Sequence, residues 1–536
     1  MSYNPKRITR AIRQRWVHRQ CNLRWQALTK AVNQVSAVVE DKKPVVFFNA
    51  STRLQSMSQN AAYSLLTAHM LRLQGIPVIQ FICSAGMERC VLGTNRDDPR
   101  AAPPCSTCVR QSRAVFNGMD TRWFKQQHDP EIEAAIANLS VSDLANFTYQ
   151  QVPLGFWALN SLRWVLRRHN LADDSNTQFF LQSFIRSAWN VYVQFSEVLK
   201  ADTPRAVVLF NGMFFPEAAA RYACLEQGVR VVTHEVGLRP FTAFFTPGEA
   251  TAYPMEIDPS FRLNSEMERR LDDYLALRFS GDFTMAGIRF WPDMKDPDLD
   301  FIRKAEKFQK IVPVFTNVIF DTSQVHANTL FENMFTWLNH VKDTAINHPE
   351  ILFVFRAHPD ESRAGKQSRE SVAEWFKQAG IENLENVVFF DSGEYISSYD
   401  LIRRAHLVLV YNSTIGLEAA LLGKPVLVGG KARFTQLNTS YYPATLDEYR
   451  TLLETFLMQK HVDVPLEFRT NARRFLYYQL FITSLEFRDF VEDDGIWNGY
   501  VKLKSISPEQ LIPENSTTAQ VLLEGILREG SFTLPL

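Results

Sequence analysis

The chain has 536 residues, more than the ~250–300 at which one hydrophobic core stops growing, so two large domains are expected. Hydrophobic residues make up 46% and charged ones 22%, a globular composition, and the 58 Lys+Arg balance the 58 Asp+Glu, which removes the global basic field that drives nucleic-acid binding. No apolar run reaches the ~20 residues needed to span a bilayer, the start is polar rather than a signal peptide, and six cysteines are too few for a disulfide scaffold, so a cytoplasmic protein is expected.

The first segment, 1–40, is read as a basic helix. Met1 to Val39 contains no Asp or Glu, while Lys6, Arg7, Arg10, Arg13, Arg15, Arg19, Arg24 and Lys30 are basic. Ile8, Ile12 and Trp16 share one helical face, which suits either the surface of an anionic membrane or simple packing on the first domain.

Residues 41–290 alternate strands and helices. The run 44–48, a helix through Ala61 to Leu73, Gly75 and the run 77–82 make one βαβ unit. Helices fill about 113–200, and then a strand at 206–210, a helix at 214–227 and a strand at 229–233 follow. The strands are continuous apolar runs, as when both sheet faces are covered.

A Pro- and Asp-rich passage, Trp291 to Asp298, is read as the linker. The block 300–468 repeats the alternation, with strands at 311–315, 351–355, 387–390, 407–410 and 425–428 and a helix from about Ala327 to Ala345. A long helix over 469–493 is expected to cross back and brace the first domain, within a final segment 469–536. The fold expected is α/β, with two Rossmann-like domains whose parallel sheets face a central cleft.

Ligands in open α/β sheets sit at the carboxyl ends of the strands, and polar clusters occur there. Arg356-Ala357-His358-Pro359 follows one strand; an arginine and a histidine there suit a phosphate oxygen, and the histidine can supply a proton. Tyr411-Asn412-Ser413-Thr414-Ile415-Gly416-Leu417-Glu418 places hydroxyls at a helix start, where free N–H groups favour an anion. Gly416 permits close approach, and Glu418 stands one turn on, where it meets a ribose or serves as a solvated carboxylate behind a Thr414 cap. His234-Glu235-Val236-Gly237-Leu238-Arg239 follows a strand of the first block; it reads as a base with a charge partner or as a buried ion pair holding the loop.

Cys83, Cys90, Cys105 and Cys108 form C-x6-C-x14-C-x2-C. Four thiolates suit a structural zinc, with an iron–sulfur cluster as a lesser reading, while single cysteines are often buried small apolar residues. Cys21 and Cys224 read as core residues. The D-x-D spacings in Asp296-Pro297-Asp298-Leu299-Asp300 lie in the linker, so donor binding without an obligatory magnesium is expected.

Asn317 with Phe320-Asp321, Arg356 to Glu361, Asn412 to Ala420 with Gly423-Lys424-Pro425, and Glu235 to Pro240 together resemble the capsule polysaccharide biosynthesis family, over about residues 205–440. That resemblance implies a GT-B glycosyltransferase related to the capsular Kdo transferases, with a nucleotide-sugar donor held mainly by the second domain and a glycan or glycolipid acceptor. It implies that Arg356, His358, Ser413 and Thr414 contact the donor phosphate and Glu418 the ribose. It places Asn317, Asp321, Asn412 and Gly416 on the donor side, with Glu235, seconded by His234, as the catalytic carboxylate across the cleft and Arg239 toward the acceptor. No catalytic cofactor is expected. The competing readings are a polyol-phosphate transferase using a CDP-linked donor and a non-catalytic polysaccharide assembly protein.

Overall fold

The computed structural model describes residues 5–37, 39, 41–50, 57–280, 284–285, 288–289, 295–363 and 367–536; for 5–12, 284–285 and 288–289 only the backbone is described. The first part of the proposed linker, 291–294, lies outside the described residues.

The first unit is built on a seven-stranded sheet. Its order is Leu485–Glu486, Thr242–Thr246, Arg230–Val236, Ala206–Phe210, Val45–Asn49, Val78–Cys83 and Asp120–Phe124. The five strands from Arg230–Val236 to Asp120–Phe124 are parallel, in register Ala206↔Arg230, Val45↔Ala206 and Val45↔Val78, while Thr242–Thr246 pairs antiparallel with both Arg230–Val236 and Leu485–Glu486. Alternate residues feed opposite cores, as a two-residue strand period requires. Val46, Phe48, Val207 and Leu209 pack under the helices Leu154–Leu166, Ser175–Asp202 and Phe215–Glu226. Val45, Phe47, Ala206 and Val208 pack under Pro5–Val35, Gln59–Leu73 and Thr517–Leu527.

The second sheet is wholly parallel, in the order Val387–Phe390, Ile351–Arg356, Lys310–Phe315, Val408–Val410, Val426–Val428. Its strand order reverses between Lys310–Phe315 and Val408–Val410, and that of the first sheet between Ala206–Phe210 and Val45–Asn49. At such a reversal the two connecting helices leave on opposite faces, which opens a crevice at the carboxyl ends. The helices start on side-chain caps: Asp174 accepts from Thr177 N–H at 2.8 Å, and Asp298 from Phe301 N–H at 2.8 Å. Part of the linker's acidic run therefore serves to begin the helix Leu299–Ala305.

Three boundaries differ from the sequence reading. The helix Ser265–Phe279 buries Leu271 and Leu275 with Val408 and Val426, so the chain has entered the second unit well before residue 290. The stretch expected as one helix from Ala327 to Ala345 is two, Gln324–Ala327 and Met334–Asn347, the latter capped by Asn333. The expected 469–493 helix is shorter: Leu466–Tyr477 ends in a π-helical turn, Tyr478–Ile482, before the chain joins the first sheet as Leu485–Glu486. The remaining tail completes the first core, with Phe487 on Tyr63 at 4.4 Å between centroids.

Candidate functional site

A cavity of about 440 Å³ lies at the strand-order reversal of the first sheet. Asn49 and Ala50 end one strand, Phe210 and Asn211 end its neighbour, and Asp321, Thr322, Ser323 and Arg433 enter from the second unit. The cavity thus has walls from both units, at the place where open α/β sheets bind ligands.

Glu235 forms part of this wall, near the end of the strand Arg230–Val236. Its Oε1 accepts from Asn60 Nδ2 at 3.0 Å and from the Val236 N–H at 2.9 Å, and Asn211 Nδ2 approaches Oε2 at 3.4 Å. Burial raises its pKa above the ordinary carboxylate value; these three donors and the charge of Arg433 pull it back down without cancelling the rise. A carboxylate held on one side and raised in pKa is a stronger proton acceptor than an ordinary solvated one.

Two neighbours organise this carboxylate. Asn211 sits at φ +39° and Gly212 at φ +82°, a left-handed turn at the strand end that aims the Asn211 amide at Glu235. Strain of this kind in a non-glycine residue costs about 1–3 kcal/mol and is concentrated at functional sites. Tyr253, at φ +49°, donates its hydroxyl to the Val236 carbonyl and stacks on Phe244, while the Arg433 guanidinium lies 3.8 Å over the Tyr253 ring. Arg433 is in this way held across the cleft within electrostatic reach of Glu235. None of Asn60, Asn211, Tyr253 and Arg433 stands out in the sequence; the one available signal was Asn211-Gly212 directly after an apolar strand.

At the reversal in the second sheet, Asn317 and Asn412 close the gap between the two strand ends. The Asn412 N–H donates to Asn317 Oδ1 at 3.2 Å, and Gln324 Nε2 donates to Asn412 Oδ1 at 3.1 Å. Asp321 Oδ1 caps the next turn, accepting from Ser323 N–H at 2.8 Å. A second cavity of about 230 Å³ shares Asp321 and Thr322 and is walled by Asn160, Arg163 and His169 opposite Phe320 and Gln324. Ser413 is buried, and Thr414 is exposed at the start of the helix Ile415–Leu421 with no side-chain capping bond.

His358 caps the turn Pro359–Glu361, its Nδ1 accepting from the Asp360 N–H at 3.2 Å. An accepting Nδ1 leaves the neutral ring's proton on Nε2, so this imidazole presents a donor. Burial lowers its pKa, against the opposing charges of Asp360 and Asp321.

Several residues expected at the site are engaged elsewhere. Arg356 is buried and spends its guanidinium on backbone carbonyls, of Asp391 at 2.6 Å, Glu394 at 2.5 Å and Ala357 at 3.2 Å, which pins the loop after the strand Val387–Phe390. Glu418 is neither solvated nor turned to a ribose: Arg278 reaches its Oε1 at 2.5 Å and the Tyr399 hydroxyl its Oε2 at 2.6 Å, all within the second core. Gly416 is small for packing rather than for a ligand, since a Cβ there would stand 2.8 Å from Phe434 and 2.9 Å from Val410. Arg239 pairs with Glu486, donates to the Leu480 carbonyl at 2.7 Å and covers Phe481, tying the first unit to the returning segment instead of facing an acceptor. His234 lines the cavity but is buried against Phe245, and burial drives its pKa down to about 3, so it stays neutral and makes a poor base. Among the described residues no three Cys, His or acidic side chains already converge as metal ligands.

Residues 287–441 match the family described as capsule polysaccharide biosynthesis protein. No curated protein matches the chain. Solved structures with partial similarity include a Thermosulfurimonas dismutans KpsC beta Kdo 2,4 transferase, 12% identical over 52% of this chain and 80% of that one, TM-score 0.35. A Neisseria meningitidis UDP-GlcNAc 2-epimerase is 13% identical over 81% and 98%, TM-score 0.26. A Thermosynechococcus elongatus sucrose-phosphate synthase is 10% identical over 82% and 95%, TM-score 0.27. The family match spans the whole reversal point of the second sheet, from before Asn317 to beyond Glu418.

Proposed function

We propose that this protein is a glycosyltransferase that moves a sugar from a nucleotide-linked donor onto a surface polysaccharide or its lipid-linked precursor. The observation that carries the reading is Glu235: a carboxylate oriented by Asn60 and Asn211, in a cavity whose opposite wall, Asp321 to Ser323 and Arg433, comes from the family-matched unit.

In this reading the donor lies along the strand ends of the second unit, between Asn317 and Asp321 on one side and Ser413 and Thr414 on the other. The acceptor hydroxyl enters the first unit's side and gives its proton to Glu235. Its oxygen forms the new bond to the anomeric carbon as the bond from that carbon to the phosphate oxygen breaks, and the nucleotide leaves with the electron pair. The Nε2–H of His358 supplies a hydrogen bond to the departing phosphate, in the manner of a preorganised donor. Arg433 adds a positive charge on the cleft side. Arg356, by contrast, acts through the loop it anchors and does not touch the donor.

The helix Pro5–Val35 extends the reading to a surface. It buries Cys21, Trp25, Leu28 and Val32 in the first core, and its outer face carries exposed Arg13, Trp16, Arg19, Leu23 and Lys30. A basic face with an exposed tryptophan suits an anionic membrane, where a lipid-linked acceptor would be met.

The test is thermal stabilisation by CMP, CDP, UDP and GDP, followed by product analysis with the corresponding sugar donors. One nucleotide is expected to stabilise the protein by about 2.7 kcal/mol at a hundredfold excess over its dissociation constant. Stabilisation by none of them, together with no glycosidic product, would overturn the reading. A phosphodiester product formed from a CDP-linked polyol would replace it.

A further inference from the structure

We propose that Cys83, Cys90, Cys105 and Cys108 are the four ligands of a structural zinc ion that fixes one wall of the cavity. The four come from three different places in the fold. Cys83 ends the strand Val78–Cys83, Cys90 lies in the loop after it, and Cys105 and Cys108 occupy the first turn of the helix Cys105–Val115. Residues 84–104 contain no helix or strand, and a loop of that length inside a compact unit calls for something to hold it.

Two features of the loop are those of thiolate turns. Cys83-Ser84-Ala85-Gly86 and Cys90-Val91-Leu92-Gly93 are both C-x-x-G, and in each the glycine N–H points at the sulfur, at 3.2 Å from Gly86 to Cys83 and 3.2 Å from Gly93 to Cys90. Backbone N–H groups aimed at sulfur favour the charged thiolate, the form that binds metal. Gly93 leaves no room for another residue: its Cβ would stand 3.0 Å from Cys90 Sγ and 3.1 Å from Pro103. The remaining pair, Cys105 and Cys108, is a C-x2-C at a helix start, the spacing that places two thiolates on one ion.

Gly93 also joins the two ends of the loop, standing between Cys90 Sγ on one side and Pro103 and Pro104, which lead directly into Cys105, on the other. Among the described residues no three Cys, His or acidic side chains are placed to hold a metal ion as they stand, so binding requires the thiols to move onto the ion. The step is a proton exchange without redox change: four thiols release four protons as four sulfur–zinc bonds form. A closed all-sulfur site of this kind is structural, not catalytic. Cys90, Val91 and Leu92 line the cavity, so the ion would act on substrates only by holding that wall.

The experiment is elemental analysis of the full-length protein purified without chelator, with thiol titration before and after a strong chelator. One zinc per chain is expected, with these thiols unreactive until the chelator removes it and the melting temperature falling on removal. The double substitution C105S/C108S is expected to purify without zinc; should it not fold, the chelator titration of the unaltered protein still decides. Absence of stoichiometric metal, with these four thiols reactive from the outset, would overturn the proposal, and so would iron accompanied by acid-labile sulfide.

Discussion

Glu235 and Glu418 were both read as carboxylates at a strand or helix end, and their neighbours give them opposite roles. Glu235 keeps one side toward the cavity and is held by amides alone, whereas Glu418 is closed in by Arg278 and Tyr399. Glu235→Gln is therefore expected to lower kcat by about 10²–10⁴ with little change in the donor's KM, as loss of a general base does. Because burial raises the Glu235 pKa, the acid limb of the kcat/KM profile should lie above the ordinary carboxylate range; a limb within that range would place the base elsewhere. Glu418→Gln should behave in another way, leaving Arg278 buried without its counter-ion at a cost of about 3–5 kcal/mol. Urea unfolding would show that cost, while nucleotide affinity per folded molecule stays unchanged. The sequence could mark both residues, since a carboxylate after an apolar run is visible in it. It could not assign them, because Arg278 stands in a helix that reads as part of the other domain. Arg356 misleads for a related reason: its position at a strand mouth is correct, but the carbonyls that occupy it come from a loop more than thirty residues away.

Elements were legible where a single period governed them. The strands of both sheets are short runs of Val, Ile, Leu and Phe, and the polar residues that end them mark the carboxyl edge on which the site is built. The returning segment was legible in direction but not in form. Apolar residues continue at helical spacing through Phe481, while the switch to the two-residue strand Leu485–Glu486 depends on an open sheet edge at Thr242–Thr246 that no local signal announces. That tail is core: Phe487 is fully buried on Tyr63. Phe487→Ala is expected to cost about 3–5 kcal/mol, the value of a large side chain removed from a packed interior, and a loss below 1 kcal/mol in urea unfolding would deny the tail that role. The helix Pro5–Val35 divides by face in the same argument. Its inner stripe is shared with the first core, while Trp16, 62% exposed, touches little. Trp16→Ala should leave stability within about 0.5 kcal/mol but reduce co-sedimentation with vesicles rich in phosphatidylglycerol. Unchanged co-sedimentation would leave the basic face merely solvated.

Across the whole molecule, burial of titratable groups in both units sets how stability depends on pH. Burial pushes Glu217, at the cavity, and Glu361, under the helix Val372–Ala379, up to about 8. It pushes His69 and His234 down to about 3 and His169 to about 4. Between the unfolded carboxyl value near 4.5 and about 8 the folded chain holds more protons at the two glutamates, so their contribution is complete below that window and is lost as pH rises through it. The histidines act with the opposite sign: the unfolded chain binds their protons first, so their contribution is present above about 6.5 and is lost as pH falls toward 3–4. In the overlap the two glutamates offset only part of the effect of the three histidines, so stability still rises with pH. Outside it each acts alone, and the midpoint of thermal unfolding is expected to peak toward about pH 6.5, the upper end of the overlap, and to decline on both sides. One group titrating alone contributes at most about 1.4 kcal/mol per pH unit. Glu361→Gln keeps an oxygen to accept the Val372 N–H but removes the proton, so it should flatten the decline between pH 6.5 and 8 by up to that slope while leaving the acid side as it was. An identical alkaline slope in the variant would show that Glu361 is ionised in the folded protein at neutral pH, and would move the source of the decline to Glu217 at the cavity.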